Sequence, residues 1–369
     1  MSDEWRWVPL GDATVSEDSK RRPVKEADRT PGPYPYWGAS GVLDFVSDYI
    51  FDYPTLLVSE DGENLKTRKT PIAFHATGKY WVNNHAHVLR AREHFDLEFL
   101  AHAVQNSDIS GYLTGSTQPK LTAGNLAKIP LWCPSVTEQR RIAGVLGALD
   151  DLIEVNRGLI QDLTSMGDAV MDRWAEGVGS TVALGDVIEV VREGWDVNDS
   201  DKESVYLGLE HFGTDAVGLV ERGTTSGITS QKSLFQVGDV LYGKLRPYFR
   251  KVARPGFAGV CTTEAWVMRG RGEVSQEFVH WVARSPRFTE MAVAGSEGTK
   301  MPRANWSHLS SMTVPDPKSP GMSAVSGAVH TLWQAGESLN EEIGDLEASR
   351  NELLPLLMSG RVRVGDAAA

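Results

Sequence analysis

The chain contains two copies of one unit, and this internal repeat constrains its fold more than any other feature of the sequence. Residues 8–12 read Val-Pro-Leu-Gly-Asp and recur at 182–186 as Val-Ala-Leu-Gly-Asp. Near the end of each copy, Gly115, Ser116, Lys120 and Asn125 recur as Gly295, Ser296, Lys300 and Asn305. The common order and spacing of these matches predict two copies of about 175 residues each.

The first part of each copy is rich in short apolar segments that contain β-branched residues. Examples at 55–58, 81–82 and 239–242 are bounded by Gly, Pro, Asn and Asp, which indicates strands joined by turns. Helical patterns at 97–104 and 276–282 lie between such segments. Each copy is therefore predicted to begin with a mixed, β-rich α+β domain.

The second part of each copy is a long helix with apolar residues at every seventh position. In copy one, Ser135 and Glu138 form a capping-box pattern before a helix predicted over 136–174. One set of heptad positions there holds Ile142, Leu149, Asn156, Leu163 and Val170, and a second set, three residues later, holds Val145, Leu152, Leu159 and Met166. In copy two the corresponding sets are Val325, Leu332, Leu339, Leu346 and Leu353, and, more weakly, Ala328, Ala335 and Leu356.

We predict that the two helices pair with each other as an antiparallel coiled coil, with Asn156 at an a position that specifies the register. The alternative is that each helix packs only on its own globular domain. Pro355 is expected to kink or end the second helix, and Gly360 is a natural stop.

Composition limits the class of protein. Hydrophobic residues make up 41% of the 369, which allows sizeable cores, and two cysteines are too few for a disulfide framework. With an acidic N-terminal segment unlike a signal peptide and no apolar run of membrane-spanning length, a cytoplasmic location is expected. The net charge of −12 disfavours nucleic acid as a partner, but residues 241–310 hold eleven Lys or Arg against five Glu.

Sequence motifs for catalysis are weak. The chain has neither a P-loop nor the tetrapeptide of adenine methyltransferases. His85 and His87 could bind a metal, but no third ligand is evident, so packing or hydrogen bonding is favoured. Glu60, Asp61 and Glu264 have no paired catalytic partner, and a structural or loop-ordering role is expected for them.

Basic clusters in Gly-rich or aromatic-containing segments are the candidates for contact with DNA. A solvated surface is the alternative for each cluster. The candidates are Lys66, Arg68, Lys69 and Lys120 in copy one, and Lys244, Arg246, Tyr248, Arg250, Lys251, Lys300 and Arg303 in copy two.

Several segments resemble the specificity subunits of type I restriction–modification systems. Residues 138–143, 149–153 and 156–157 resemble the family's central conserved region, and the end of the second helix resembles its C-terminal one. Residues 36–42, 59–65 and 82–88 resemble one type of target-recognition domain, while 241–248 and 259–264 resemble another. One departure is that the second helix begins Gly321-Met322-Ser323-Ala324 and lacks the Glu-Gln-Arg start of the first.

The resemblance implies two target-recognition domains held apart by paired helices, related by a pseudo-twofold axis, with each domain reading one half of a split site in double-stranded DNA. It also implies that the helices bind two modification (methyltransferase) subunits, and that restriction (motor/nuclease) subunits join where the system has them. S-adenosylmethionine, ATP and magnesium would belong to those partners, so no cofactor and no catalysis are expected of this chain. The residues expected at the partner interface are Arg140, Arg141, Leu149, Asp150, Asp151, Asn156 and Leu163.

The predicted boundaries are 1–134 and 180–318 for the recognition domains, and 135–179 and 319–369 for the conserved helices. Three alternatives stay open at this point. The chain could serve a related defence system or a solitary methyltransferase, it could be an enzyme with an unrecognised His–carboxylate site, or it could be a coiled-coil adaptor that binds only proteins.

Overall fold

The computed structural model of the chain describes residues 5–115, 118–196, 203–298 and 300–365. The fold is α+β, and the chain divides into two compact units. Unit 1 comprises Met1–Val155 with Ile343–Ala369, and unit 2 comprises Asn156–Glu342. No helix in the described ranges combines the length and the hydropathy that crossing a membrane requires.

In its described residues, unit 1 has three small sheets. Its strands are β1 (Arg6–Pro9), β2 (Thr14–Ser16), β3 (Pro31–Gly38), β4 (Gly41–Val46), β5 (Thr55–Ser59), β6 (Ala73–Ala76), β7 (Trp81–Val82), β8 (Ala86–Ala91) and β9 (Pro130–Cys133). They form sheets of order β1-β9, β2-β8-β5-β6 and β4-β3-β7. The α-helices among them are α1 (Leu10–Ala13), α2 (Asn64–Thr67), α3 (Leu97–Asn106) and α4 (Ala123–Leu126). The core lies between the β2-β8-β5-β6 sheet and α3, whose Phe99, Leu100 and Val104 are fully buried.

Unit 2 follows the same plan. Its strands are β10 (Thr181–Ala183), β11 (Ile188–Val191), β12 (Gly194–Trp195), β13 (Val205–Leu207), β14 (Gly223–Thr224), β15 (Lys232–Phe235), β16 (Val240–Gly243), β17 (Val252–Ala253), β18 (Gly259–Cys261), β19 (Ala265–Gly270) and β20 (Thr313–Pro315). They form sheets of order β10-β20, β11-β19-β16-β17 and β12-β15-β18-β13-β14. The helices are α6 (Leu184–Val187), α7 (Gln276–Arg284), α8 (Pro286–Ala294) and α9 (Trp306–Leu309).

The repeated Leu-Gly-Asp motif explains why the two copies fold alike. In copy one the amides of Leu10 and Gly11 donate to the carbonyls of Ile129 and Ala127, both at 2.9 Å. In copy two the amides of Leu184 and Gly185 donate to those of Met312 and Ser310, at 2.8 and 2.9 Å. A Cβ atom on either glycine would come within 2.9 Å of a Cβ atom across this contact, so both copies need glycine for the close approach.

These contacts correct the sequence alignment of the loop near the end of each copy. The hydrogen bonds equate Ile129 with Met312, and the N-cap Thr122 of α4 with the N-cap Asn305 of α9. Lys120 is therefore equivalent to Arg303 and not to Lys300, and the match of Asn125 to Asn305 was wrong. The error arose because copy two has three more residues in this segment, which identical residues at a constant spacing cannot reveal.

The long helices are α5 (Val136–Glu176) and α10 (Met322–Met358), so both predicted helices are confirmed. Within unit 1, Ile142 and Leu146 of α5 share a buried cluster with Leu357 and Met358 of α10. Within unit 2, Met171 and Trp174 share a cluster with Met322, and the Trp174 indole Nε1 donates to the Pro320 carbonyl at 3.2 Å. The predicted antiparallel pairing is confirmed, since early residues of α5 contact late residues of α10 and the reverse. α10 continues through Pro355 and ends at Met358, with Gly360 at φ 73° just beyond.

One half of the predicted heptad seam is wrong. In the first predicted set, Ile142, Leu149, Asn156 and Leu163 are buried or half-buried as predicted, but Val170 is 36% exposed. In the second set Val145 is half-buried, whereas Leu152, Leu159 and Met166 are 44–55% exposed. The buried partners lie four residues after the first set and include Leu146, Ile153 and Gly167. The same shift in α10 buries Gly336, Ile343 and Leu357 and exposes Ala328 and Ala335. Asn156 thus occupies a d position.

The physical reason is that α5 has apolar residues on two faces. Spacings of three and four residues both return to one side of a helix, so the sequence could not tell which apolar neighbours complete the seam. The misassigned residues form a second, exposed apolar face.

Candidate nucleic-acid interface

Three segments meet in each copy where the central strand of the sheet ends. We define the copy-one junction as residues 59–69, 83–85 and 114–121, of which Ser116 and Thr117 lie outside the described residues. The Glu60 amide donates to the His85 carbonyl at 2.9 Å, and the Leu121 amide donates to the Glu60 carbonyl at 2.8 Å. The Gly62 amide donates to the Pro119 carbonyl at 3.1 Å, so one short stretch after β5 joins the other two segments.

The copy-two junction repeats this backbone pattern. We define it as residues 243–251, 262–264 and 297–304, of which Thr299 is outside the described residues. The Lys244 amide donates to the Glu264 carbonyl and the Ala304 amide to the Lys244 carbonyl, both at 2.9 Å. The Arg246 amide donates to the Pro302 carbonyl at 2.7 Å. Glu60 is therefore equivalent to Lys244, and His85 to Glu264.

The copy-two junction presents cationic and aromatic side chains together. Among the described residues, the side chains of Lys244, Arg246 and Lys300 have no hydrogen-bond or ion-pair partner, and those of Arg246 and Lys300 are exposed. Tyr248 and Phe249 are 49% and 37% exposed, with ring centroids 4.8 Å apart. Arginine can read guanine bidentately and aromatic rings can stack, so this surface can offer both contacts to a nucleic acid.

Backbone conformation points to the same segment. Arg246 has φ 51° and Arg250 has φ 50°, and these two left-handed residues flank a turn of 3-10 helix at Pro247–Phe249. Residues other than glycine pay a conformational free-energy penalty in this region, and such strain is concentrated at functional sites. The turn holds Tyr248 and Phe249 away from the core.

Three other sequence candidates in copy two are already engaged within the domain. Arg250 Nη2 donates to the Arg284 carbonyl at 2.9 Å, and Lys251 Nζ donates to the Leu209 carbonyl at 2.5 Å. The Arg303 guanidinium lies 3.0 Å from a carboxylate oxygen of Glu264. The hydrogen bond to Glu264 raises the pKa of the Arg303 guanidinium above its ordinary value. Burial offsets little of this rise, because Arg303 is exposed.

In copy one the sequence candidates divide in the same way. Lys66 and Lys69 are exposed, with no side-chain partner among the described residues. Arg68 has φ 52° and donates to the carbonyls of Gln105 and Ser107 at 3.1 and 2.7 Å. Burial lowers the pKa of its guanidinium. Lys120 Nζ lies 3.0 Å from Glu60 Oε1. Of these four candidates, Lys66 and Lys69 are therefore the two whose side chains have no partner among the described residues.

A network of charged side chains supports the copy-one junction from inside. Arg21 Nη1 donates to Glu60 Oε2 at 2.7 Å, and Asp18 Oδ2 lies 2.6 Å from His87 Nδ1. Burial alone would raise the pKa of Asp18, but hydrogen bonds from His87 and Val88 and the charge of Arg21 outweigh it, and the pKa is lowered. Burial likewise opposes ionisation of Glu60, but hydrogen bonds from Arg21 and Lys120 lower its pKa.

Sequence reasoning missed Asp18 and Arg21, which lie in a polar stretch far along the chain from the residues they contact. It also missed Phe249, whose exposure follows from the left-handed turn. For His87 and Glu60 it favoured hydrogen bonding and loop ordering, and the structure gives both residues these contacts.

The helix residues predicted at the partner interface lie in three environments. Leu149, Asn156 and Leu163 face the seam. Asp150 accepts from Arg350 Nη1 at 2.7 Å, an ion pair within unit 1. Arg140 and Asp151 are exposed, while Arg141 Nη1 lies 3.6 Å from Glu138. The neighbouring Gln139 is buried and ties the helix start to the domain, because it accepts from the Asp96 amide at 2.9 Å and donates to the Pro134 carbonyl at 2.9 Å.

The chain is similar in sequence to known proteins. Residues 2–165 match the family model described as type I restriction modification DNA specificity domain. A putative type I restriction enzyme specificity subunit of Haemophilus influenzae is 34% identical over 149 residues, which are 40% of this chain and 38% of that protein. The EcoDI specificity subunit of Escherichia coli is 20% identical over 98% of this chain and 88% of its own length.

A crystal structure supports the assignment of the fold. The type I restriction–modification S subunit of M. genitalium superposes with a TM-score of 0.60 and 14% identity, over 96% of both chains. The two-copy arrangement with a long helix after each β-rich domain is therefore the fold of that S subunit. Copy one is similar to the type I DNA specificity domain, and nearly the whole chain is similar in sequence to a type I restriction enzyme specificity subunit.

Proposed function

We propose that the chain recognises a bipartite site in double-stranded DNA and directs the methyltransferase and nuclease subunits of a type I restriction–modification complex to it. One observation carries the proposal: both copies build the same three-segment junction from equivalent backbone hydrogen bonds, but cover it with different side chains. A shared framework with different side chains suits two domains that read two different half-sites.

The charge distribution supports DNA as the partner. Although the net charge is −12, the copy-two junction offers Lys244, Arg246 and Lys300 without internal partners among the described residues. Lys66 and Lys69 play this part in copy one. Phosphate contacts by such cations would supply affinity, and the arginine and aromatic side chains would supply base readout. The remaining positive charge needed around the duplex would come from the other subunits.

Modification subunits, two per chain, would dock on the long helices. The face of α5 that is not in the seam exposes Leu152 and Val155 within unit 1, at 48% and 57%. Within unit 2 it exposes Leu159, Met166 and Val170, at 44%, 55% and 36%. Apolar residues at helical spacing that face solvent in a single chain are typical of a helix-binding surface. Restriction (motor/nuclease) subunits would join the assembly where the system includes them.

The chain would do no chemistry itself. We propose that the boundaries 1–134, 135–179, 180–318 and 319–369 separate reading from assembly: recognition in the first and third segments, and partner binding in the second and fourth. Methyl transfer, ATP hydrolysis and cleavage would belong to the partner subunits. A role with a solitary methyltransferase or a related defence system would use the same surfaces.

The test is a gel-shift titration of the full chain mixed with its cognate modification subunit, together with methylome sequencing of cells that carry both. We expect sequence-specific DNA binding by the mixture and methylation of one motif with two defined halves and a fixed gap. Copurification with the modification subunit but no DNA binding would favour the adaptor alternative. Methylation or hydrolysis by the chain alone would favour the enzyme alternative, and a continuous methylated motif would contradict the two-domain reader.

A further inference from the structure

The imidazole of His87 lies at the end of a buried chain of contacts beneath the copy-one junction. The residue is 1% exposed, and it follows the first residue of β8, beside the 3-10 turn Asp18–Lys20. Its Nδ1 atom is 2.6 Å from Asp18 Oδ2, and its Nε2 atom is 2.7 Å from the carbonyl oxygen of Leu121. The ring therefore joins the 3-10 turn to the junction segment that holds Lys120.

Both neighbours of the ring are acceptors. A carbonyl oxygen can only accept, so Nε2 must carry a hydrogen. Asp18 accepts from the Val88 amide at 2.8 Å through its other oxygen and has Arg21 Nη2 at 3.3 Å, and these contacts hold it as a carboxylate. A carboxylate also only accepts, so Nδ1 faces an acceptor just as Nε2 does. Hydrogens on both ring nitrogens would satisfy the two acceptors at once.

Leu121 is consequently held through both of its backbone groups. Its amide donates to the Glu60 carbonyl at 2.8 Å, and its carbonyl accepts from His87. Glu60 in turn binds Lys120 at 3.0 Å and Arg21 at 2.7 Å. Glu60 is also 3.9 Å from His87, so the imidazole, Arg21 and Lys120 surround two carboxylates. The position of Lys120 and Leu121 thus depends on the Asp18–His87 pair.

Copy two has no such pair at the equivalent place. The strand registers that pair Ser59 with Ala86 and Gly243 with Ala265 make Trp266 the equivalent of His87. Trp266 instead packs on Trp306 and Tyr242, at ring-centroid distances of 5.6 and 5.9 Å. Aromatic packing of Trp266 thus lies beneath the copy-two junction, at the place where the Asp18–His87 pair lies beneath the copy-one junction.

We propose that Asp18 and His87 are positioning residues for DNA recognition by copy one: they fix Lys120 and Leu121 in the junction without contacting DNA themselves. This inference rests on the proposed function. It specifies that damage to the pair affects the half-site read by copy one and leaves the half-site read by copy two intact.

The protonation state is tested first on the full chain with ¹⁵N-labelled histidine. We expect the His87 resonance at neutral pH to show hydrogens on both ring nitrogens, and this signature to change in Asp18→Asn. A singly protonated ring would overturn the proposal. This readout involves no DNA, so it stands whether or not the proposed function holds.

Variants at His87 then test the positioning. His87→Phe removes both hydrogen bonds, whereas His87→Gln keeps one donor that can reach the Leu121 carbonyl. We expect amide hydrogen exchange at residues 118–121 to speed up by at least about tenfold in the Phe variant and much less in the Gln variant. His75→Gln is the matched control, because His75 lies on β6, two strands from β8, and its Nδ1 is 3.2 Å from Glu98 of α3. Equal exchange in all three variants would overturn the proposal.

Methylome sequencing completes the test. With the Phe variant we expect relaxed or lost sequence preference in one half of the methylated motif, restored by the Gln variant. Equal loss in both halves would indicate a general folding defect and overturn the assignment to copy one. If the parent methylates no bipartite motif, the proposed function fails, but the exchange and protonation data still decide whether the pair positions Leu121.

Discussion

The two junctions place a cation at the same backbone position but neutralise it from different segments. In copy one, Lys120 pairs with Glu60 of the segment after β5. In copy two, the equivalent Arg303 pairs with Glu264 of the segment before β19, and Lys244 takes the place of Glu60. The backbone arrangement is the same in both junctions, whereas the acidic and basic side chains stand at different positions in each. The backbone therefore sets the shape of the junction, and the side chains can differ in the DNA sequence that they recognise.

The largest expected effect comes from exchanging one of the two regions. Replacing residues 180–318 with the matching segment of a relative should change one half of the methylated motif completely and leave the other half unchanged, because each junction is built within its own copy. Methylome sequencing checks this. The reciprocal exchange of residues 1–134 is the control and should change the opposite half. A single exchange that altered both halves would show that the copies do not read independently.

The next effect concerns the helix shared by both copies. Leu163→Asp buries a carboxylate in the seam and should destabilise the chain by about 2–5 kcal/mol and abolish copurification with the modification subunit. Met166→Glu is the matched variant, because Met166 lies on the exposed apolar face at 55% exposure. It should leave the unfolding free energy within about 0.5 kcal/mol of the parent but still weaken copurification. Unaltered copurification of both variants would contradict the helix assignment.

The fold could be predicted from the sequence largely because of its repeat. Each Leu-Gly-Asp motif needs a glycine against the facing segment, and each long helix carries a heptad pattern over many turns, so the sequence constrains both features strongly. The seam partner of Leu149 could not be determined, since Leu146 and Leu152 are both apolar and lie three residues away on either side. Only packing decides which one is buried.

Much less of the site could be predicted. Composition identified Arg246 and Arg250 together as cations, but only the structure separates the exposed side chain from the one that donates to the Arg284 carbonyl. The Asp18–His87 contact joins residues 69 positions apart, and no local pattern indicates such a pair. Side-chain partners depend on tertiary geometry, whereas strands, caps and turns depend mainly on neighbouring residues.

DNA binding by copy two should depend on Arg246, the arginine of its junction whose side chain has no partner among the described residues. Arg246→Ala should cost about 1–3 kcal/mol in specific DNA binding, a loss of affinity of roughly 5- to 150-fold, if the side chain makes a bidentate base contact. Titration of cognate DNA and of DNA altered in each half measures this, with the discrimination lost in the half read by copy two. Arg250→Ala is the comparison: it removes an internal hydrogen bond, so it should lower the unfolding free energy. Equal DNA affinity in the parent and Arg246→Ala would remove this residue from the interface.

A smaller effect should distinguish phosphate contacts from base contacts. Lys300→Ala should weaken binding to all DNA sequences alike and reduce the slope of log affinity against log salt by about one unit. Lys66→Ala should do the same through copy one, which would make the two junctions equal in this respect. Lys318→Ala, an exposed lysine beyond the copy-two junction, is the control and should leave the slope unchanged. A sequence-dependent loss for Lys300→Ala would mean that this lysine reads bases.

The smallest effect is a difference in acid sensitivity between the two junctions. The pKa values of Asp18 and Glu60 lie below their ordinary values of 3.8 and 4.5, because the hydrogen bonds and charges of His87, Arg21 and Lys120 outweigh burial. A depressed pKa in the folded state contributes stability that is fully present above the ordinary value and is lost as the pH falls through the folded value.

Among the described residues of copy two, the carboxyl group with a lowered pKa is Glu277, which binds Arg254 and His330 outside the junction. Hydrogen exchange measured as the pH falls below 4.5 should therefore show earlier opening at residues 118–121 than at 300–304, after correction for intrinsic exchange rates. In Glu60→Gln the neutral side chain no longer titrates, so the acid-dependent part of the copy-one opening should shrink, and an unchanged pH dependence would assign it to other groups.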